Sequence, residues 1–167
     1  MNLLGDFIRD LRVELTDEFD RNFERKGFFN EKWDEARMQN RRGSLLMRTG
    51  ALRRSIRSQS SSNTIRWFSS LPYASIHNNG GFITVTVKMK RYFWAMHLKA
   101  SGAKQSRSMS AEAGFWKAMA LKKIGTKIKI AKRQFIGYHS KIDGIVDKVF
   151  QQTLNRYEIQ ITKTLKP

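Results

Sequence analysis

The sequence predicts an α+β fold: a small antiparallel sheet with long N-terminal and C-terminal helices and a helical insertion. Two amphipathic stretches, at residues 2–26 and 140–165, carry apolar residues at spacings of three and four. Between them lie short alternating runs rich in β-branched residues, with no regular βαβ alternation, so an antiparallel sheet set apart from the helices is expected. With 167 residues and 40% hydrophobic composition, the chain is long enough for one core, and a single domain spanning 1–167 is expected.

The elements follow in order. Leu4, Ile8, Leu11, Leu15, Phe19 and Phe23, with Phe7 beside them, form the stripe of the first helix, and Gly27 is its expected stop. That helix is longer than a small core needs, so its stripe either packs wholly inside the chain or extends, protruding, onto another subunit. Residues 28–43 read as loop or short helix anchored by Phe28, Phe29 and Trp33. Thr49 is a candidate N-cap for a helical turn from Ala51 to Ile56. Two strands, 55–59 and 63–69, are joined through Ser60-Ser61-Ser62, with Ile65, Trp67 and Ser69 alternating against Thr64, Arg66 and Phe68.

Pro72 is expected to open a helical turn through His77, ended by Asn78-Asn79-Gly80-Gly81. Ile83, Val85 and Val87 alternate with Thr84 and Thr86, which predicts a strand over 82–87. Helical spacing returns over 88–100, where Met89, Tyr92, Phe93, Met96 and His97 make a broad apolar stripe. Residues 101–110 are mostly Ser, Gly, Lys and Arg and read as a mobile loop. Residues 111–121 form a second short helix, broken by Gly125, and 88–125 together are the helical insertion. Residues 127–131 alternate again, with Ile128 and Ile130 inward. The terminal helix is expected to present Ile142, Ile145, Val146, Val149, Phe150, Leu154, Tyr157, Ile161 and Leu165 on one side.

Composition excludes several classes of function. The chain has no cysteine, which removes disulfides, thiolate zinc sites and a cysteine nucleophile. No window approaches about 18 uncharged apolar residues, so no helix is expected to span a membrane. Asp6, Arg9, Asp10, Arg12 and Glu14 interrupt the first residues, so no signal peptide is expected. His77, His97 and His139 form no metal-ligand spacing, and no nucleophile elbow, P-loop or dinucleotide fingerprint is present. Neither catalysis nor a cofactor or metal is expected. A hydrolase would need His77, His139 and Asp143 to converge in space.

The net charge is +18, unevenly placed: −4 over residues 1–35, +14 over 36–111 and +8 over 112–167. Residues 36–111 contain no Asp or Glu. Such a span suits a surface facing a polyanion, or equally a basic protein that meets an acidic partner. The acidic first segment could lie against the basic part of its own chain or of a neighbouring copy. Arg53, Arg54 and Arg57, with Arg48 nearby, are candidate interface cations. Lys88, Lys90 and Arg91 flank Tyr92, Phe93 and Trp94, a mixture that single-strand binders use, although the aromatics also fit a core stripe.

Three segments occur in order: Leu46-Met47-Arg48-Thr49-Gly50-Ala51-Leu52-Arg53-Arg54-Ser55-Ile56, then Tyr73-Ala74-Ser75-Ile76-His77-Asn78-Asn79-Gly80-Gly81, then Ile130-Ala131-Lys132-Arg133-Gln134-Phe135-Ile136-Gly137. The set resembles the phage virion morphogenesis, or tail completion, proteins, the group that includes the Mu G-like proteins. The resemblance spans about residues 45–165 and rests on Thr49, Gly50, Leu52 and Ser55, on Tyr73, Ala74, His77, Gly80 and Gly81, and on Arg133, Phe135 and Gly137. Ala131 stands where the family usually has proline, and 88–125 is an insertion relative to shorter members. The resemblance implies a structural protein of a phage or prophage that joins tail to head. It implies tail and head–tail junction proteins as partners, copies assembled in the virion, and location in the virion and, during assembly, in the bacterial host cytoplasm. It implies no catalytic residue. Non-specific contact with DNA is compatible with the charge. The alternative is a nucleic-acid-binding protein with a regulatory or packaging role. As fold determinants, the glycines would serve element junctions, Phe135 would fill the core and Arg133 would anchor the final strand to the sheet.

Overall fold

Helix α1 (Leu3–Arg25) forms because its apolar residues repeat every three to four positions and Asn2 caps it, the Asn2 side chain accepting from Gly5 N–H at 2.9 Å. A computed structural model describes residues 2–36, 43–102 and 110–165 of the chain. Ile8, Leu11, Leu15, Phe19 and Phe23 are buried, whereas Leu4 is exposed at the start of the helix. The expected stop at Gly27 is corrected: Lys26 takes the left-handed cap at φ 55, its N–H on Asn22 O. Gly27 is needed one step later. It begins β1 (Gly27–Phe28), and a Cβ there would lie 2.6 Å from Glu31 O of the facing strand β2 (Glu31–Lys32).

That hairpin replaces the loop or short helix expected at the start of 28–43; residues 37–42 lie outside the described residues. It turns Phe28, Phe29 and Trp33 inward. Phe28 and Phe29 each lie 6.4 Å from Phe19, and Trp33 meets Phe23 edge-on at 5.8 Å.

Helix α2 (Ala51–Ser55) runs directly into β3 (Ile56–Ser60), which pairs antiparallel with β4 (Ile65–Ser69) in the register Ile56↔Ser69 to Ser60↔Ile65. The expected alternation holds: Ile65 and Trp67 pack on the core while Arg66 and Phe68 are exposed. Helix α3 (Ala74–Asn79) starts two residues after Pro72.

Helix α6 (Lys141–Leu165) lies against α1, placing Val149 in the core with Ile142, Ile145 and Val146 around it. The expected one-sided stripe is corrected from Phe150 onward. Phe150 and Ile161 are about half exposed, and Thr153 is buried instead, its hydroxyl donating to Val149 O at 2.9 Å. The described residues of α1 to α3, of their strands and of α6 belong to one compact unit, residues 1–79 with 132–167.

Residues 80–131 form a second compact unit. Its strands β5 (Gly81–Thr84) and β6 (Lys127–Ile130) pair antiparallel from Gly81↔Ile130 to Thr84↔Lys127. The strand expected to reach Val87 stops at Thr84, because the Thr86 hydroxyl caps α4 (Val87–Ser101) by accepting from Met89 N–H. Ser110 likewise caps α5 (Ala111–Leu121). The mobile loop expected at 101–110 falls mainly on 103–109, outside the described residues. Ala113 and Ala120 are fully or almost fully buried, so the small residues let α4 approach closely, and Phe93 stacks on Trp116 with centroids 6.0 Å apart. Of the apolar stripe expected on α4, Phe93 is buried but Tyr92 is half exposed.

The protein is α+β. Its antiparallel pairing is distributed among three two-stranded ladders, β1–β2, β3–β4 and β5–β6, among the described residues.

Candidate interaction surface

The three sequence segments meet in the first unit. Leu52 of α2, Ala74 of α3 and Phe135 of the 132–138 connector pack with Phe23 and Trp33 into one buried cluster. Phe135 is fully buried, 5.2 Å from Phe23 between ring centroids. Backbone anchoring completes the junction. The Asn78 side-chain oxygen accepts from Phe135 N–H at 2.9 Å and Ile136 N–H at 3.1 Å. Arg133 N–H donates to His77 O at 2.8 Å. Asn22, fully buried on α1, donates to Phe135 O at 3.1 Å and accepts from Phe29 N–H at 2.9 Å. Trp33 Nε1–H donates to Gln134 O at 2.7 Å.

Sequence reasoning missed Asn22 and Asn78 as anchors of this junction, and had Trp33 as an anchor without its hydrogen bond to Gln134. One signal was present for Asn22, a polar residue placed beside Phe23 within an apolar stripe, where a buried amide must find partners on both atoms.

The motif residues divide by what they touch. Gly50, Gly80, Gly81 and Gly137 have φ of 69°, 69°, 136° and 139°. Gly50 is the residue before α2, so the N-cap expected at Thr49 moves on by one. No side-chain bond caps the helix there, and Thr49 Oγ1 accepts from Ala51 N–H at 3.3 Å. A left-handed Cβ-bearing residue at position 50 would also come within 2.7 Å of the Arg54 guanidinium. Ser55 shares a 2.7 Å hydrogen bond with Ser69, tying α2 to the end of β4. Arg133 does not reach the sheet. Its guanidinium donates to Asp34 O at 3.1 Å and Glu35 O at 3.3 Å, because those carbonyls follow directly on Trp33 in the same junction. A small cleft of about 130 Å³ opens between Arg48, Thr49, Leu52, Tyr73 and His77. That is below the roughly 300–1,000 Å³ of small-molecule sites.

His77 Nδ1 is buried and has no hydrogen-bond partner among the described residues. Burial, and secondarily the charge of Arg133, lower its pKa from the ordinary histidine value. His139 stacks on Phe29 at 4.6 Å and its Nδ1 accepts from Lys141 N–H, while Asp143 accepts from Tyr138 OH at 2.8 Å. Of the three groups that a hydrolase would have to bring together, His139 and Asp143 are each engaged with a different neighbour, and the buried His77 Nδ1 bonds to neither of them. Among the described residues no group of three or more His, Asp or Glu could hold a metal ion, and no helix is long and apolar enough to cross a membrane.

The candidate cations are not equivalent. Arg53 is withdrawn from the surface set: it pairs with Asp20, Nε to Oδ1 at 2.5 Å, and with Glu24 at 2.7 Å, and these carboxylates raise its pKa. The physical reason is the acidic outer face of α1 lying beside α2. Arg54 and Arg57 remain exposed, each donating to a backbone carbonyl, Arg54 to Thr49 O and Arg57 to Arg54 O. Arg48 is exposed at the cleft. Lys88 and Arg91 are exposed and Lys90 half-buried on α4, in the other unit.

What the junction assembles is packing and backbone anchoring around a fully formed core. The chain belongs to the phage virion morphogenesis family, whose model matches residues 14–155. The matched span takes in the whole three-segment junction and most of α1 and α6, so the chain is a phage morphogenesis protein. Neither a curated protein nor a solved structure matches it.

Proposed function

We propose that the protein acts in tail completion, joining tail to head in the virion through protein–protein contacts and in several copies, without catalytic turnover. The observation that carries the reading is the family match over residues 14–155, which includes the ordered triple of segments. Two features support it. The junction groups hold the fold together from within, which leaves the surface for partners. Arg48, Arg54 and Arg57 provide an exposed basic face suited to acidic neighbours at a protein junction.

The test is a phage carrying a nonsense mutation in this gene, examined by electron microscopy of the lysate. DNA-filled heads beside separate, complete-length tails, with joining restored by a plasmid copy, are expected. Intact infectious particles in the mutant lysate, or loss of tails altogether, overturn the reading.

A second reading, nucleic-acid binding, is favoured by the run of 36–111 without an acid. A salt titration separates the two. Weak, sequence-blind DNA binding that vanishes as salt rises fits a basic structural face, whereas tight, base-selective binding at physiological salt supports the second reading.

A further inference from the structure

Helix α4 is apolar on two sides. Met89, Phe93 and Met96 share one side and are buried or half-buried, and Phe93 stacks there on Trp116 of α5. On the opposite side Val87, Trp94 and Leu98 are 51%, 40% and 69% exposed. With Arg91 between them, these residues follow one another at steps of four, three and four, the spacing of a helix–helix seam. A surface helix ordinarily carries one apolar stripe. A second stripe, facing out, has the form of a helix lacking one neighbour.

The charges around the stripe define that neighbour. At about 100° per residue, Lys88 and Lys99 fall on one flank and Lys90 on the other, with Arg91 within the seam. Glu112 is the one acid in the sequence of the 80–131 unit. We propose that the outward stripe of α4 docks an acidic amphipathic helix belonging to a different protein of the particle. The inference rests on the assembly role proposed above for the partner's setting, and on the α4 surface for its chemistry. Pairing of the same stripe between two copies would set Lys88, Arg91 and Lys99 against themselves, a like-charge cost. The chain's own acidic helix, α1, already engages its carboxylates: Asp6 with Tyr157, Asp10 with Arg156, Glu14 with Lys148 and Asp20 with Arg53. Nucleic acid would want stacking platforms, and two of the three apolar side chains in the stripe are aliphatic.

The test uses the full chain and a synthetic helix of about three heptads with Leu at the seam and Glu at the flanks, alongside its Lys-flanked counterpart. Binding is read by calorimetry. The acidic helix is expected to bind and the basic one not. Leu98→Asp should weaken binding by at least about tenfold, with the circular dichroism spectrum of the protein unchanged. Arg91→Glu, a milder surface change, should weaken the acidic helix and improve the basic one. The proposal is overturned by no binding of the acidic helix, by equal binding of both helices, or by binding that Leu98→Asp and Arg91→Glu leave intact. It is also overturned if Leu98→Asp instead abolishes self-association, binding to anionic vesicles, or binding to single-stranded DNA. Normal particles from the nonsense mutant would remove the tail-completion role, and peptide binding would still report on the face itself.

Discussion

Asn78 lies one residue beyond His77 and holds the junction by a single side-chain oxygen. Asn78→Ala leaves the N–H groups of Phe135 and Ile136 without their acceptor. A cost of about 1–3 kcal/mol is expected, measured by urea unfolding, with Asn78→Asp retaining more of the stability because it keeps an acceptor there. His77 gives a pH dependence of definite sign. Its folded pKa is depressed by burial, so the unfolded chain takes up the proton first as pH falls. Stability is therefore lost as pH drops from above about 6.5 toward the lower folded value, and is unaffected by this group at higher pH. Thermal unfolding from pH 8 to pH 5.5 should show a decline that is smaller in His77→Gln; an equal slope in both proteins would contradict the assignment. Phe135 was legible in the sequence as a core residue. The partners of Asn78 were not, since they lie 57 and 58 residues away and no local pattern announces them.

Among the elements, α1 and α6 carry most of the first unit. Their stripes were readable from periodicity alone, and α1's apolar stripe is buried within the chain from Ile8 to Phe23, with Leu4 left exposed at its start. Leu11, Leu15 and Phe19 share one buried cluster with Val149, and Phe7 meets Phe150 edge-on at 5.4 Å. The acidic face pairs at the edges of this packing, Asp10 with Arg156, Glu14 with Lys148 at 3.2 Å and Asp6 with Tyr157 at 2.5 Å. These pairs are exposed or partly so, and solvent screening leaves such pairs little weight in stability. Leu15→Ala should cost about 2–5 kcal/mol, whereas Asp10→Asn with Glu14→Gln should cost far less and lose its effect in high salt. Comparable losses in denaturant melts would mean that charge, and not packing, aligns the helices. The half-exposed Phe150 and buried Thr153 were beyond sequence reasoning, because a 25-residue helix drifts across its neighbour and the contact face changes along its length.

At the scale of the whole molecule, both buried clusters of the first unit are built entirely from residues 1–79 and 132–167. The second unit leaves and rejoins at neighbouring points: Gly81 pairs with Ile130, and His77 O accepts from Arg133 N–H. A variant with residues 82–129 deleted, so that Gly81 is followed by Ile130, is therefore expected to fold cooperatively and to keep the near-ultraviolet signal of its packed Trp33 and Trp67. Loss of a cooperative transition would show that the two units form one folding entity. The net charge of +18 also divides along these lines. Asp20, Glu14 and Asp10 of the first segment pair with Arg53, Lys148 and Arg156 of the same chain, while Arg48, Arg54 and Arg57 in one unit and Lys88 and Arg91 of α4 in the other are among the cations left exposed.

By itself the sequence determined the α+β class, the two long helices, the strands β3 to β6 and the family, because these rest on local periodicity, turn chemistry and ordered motifs. Only the tertiary structure decided which groups those motifs serve. Arg53 is a structural cation, Asn22 and Asn78 are buried anchors, and α4 keeps a second apolar side. Each of these depends on which distant residues arrive beside it, and burial and hydrogen bonding are properties of that arrival, not of the local sequence.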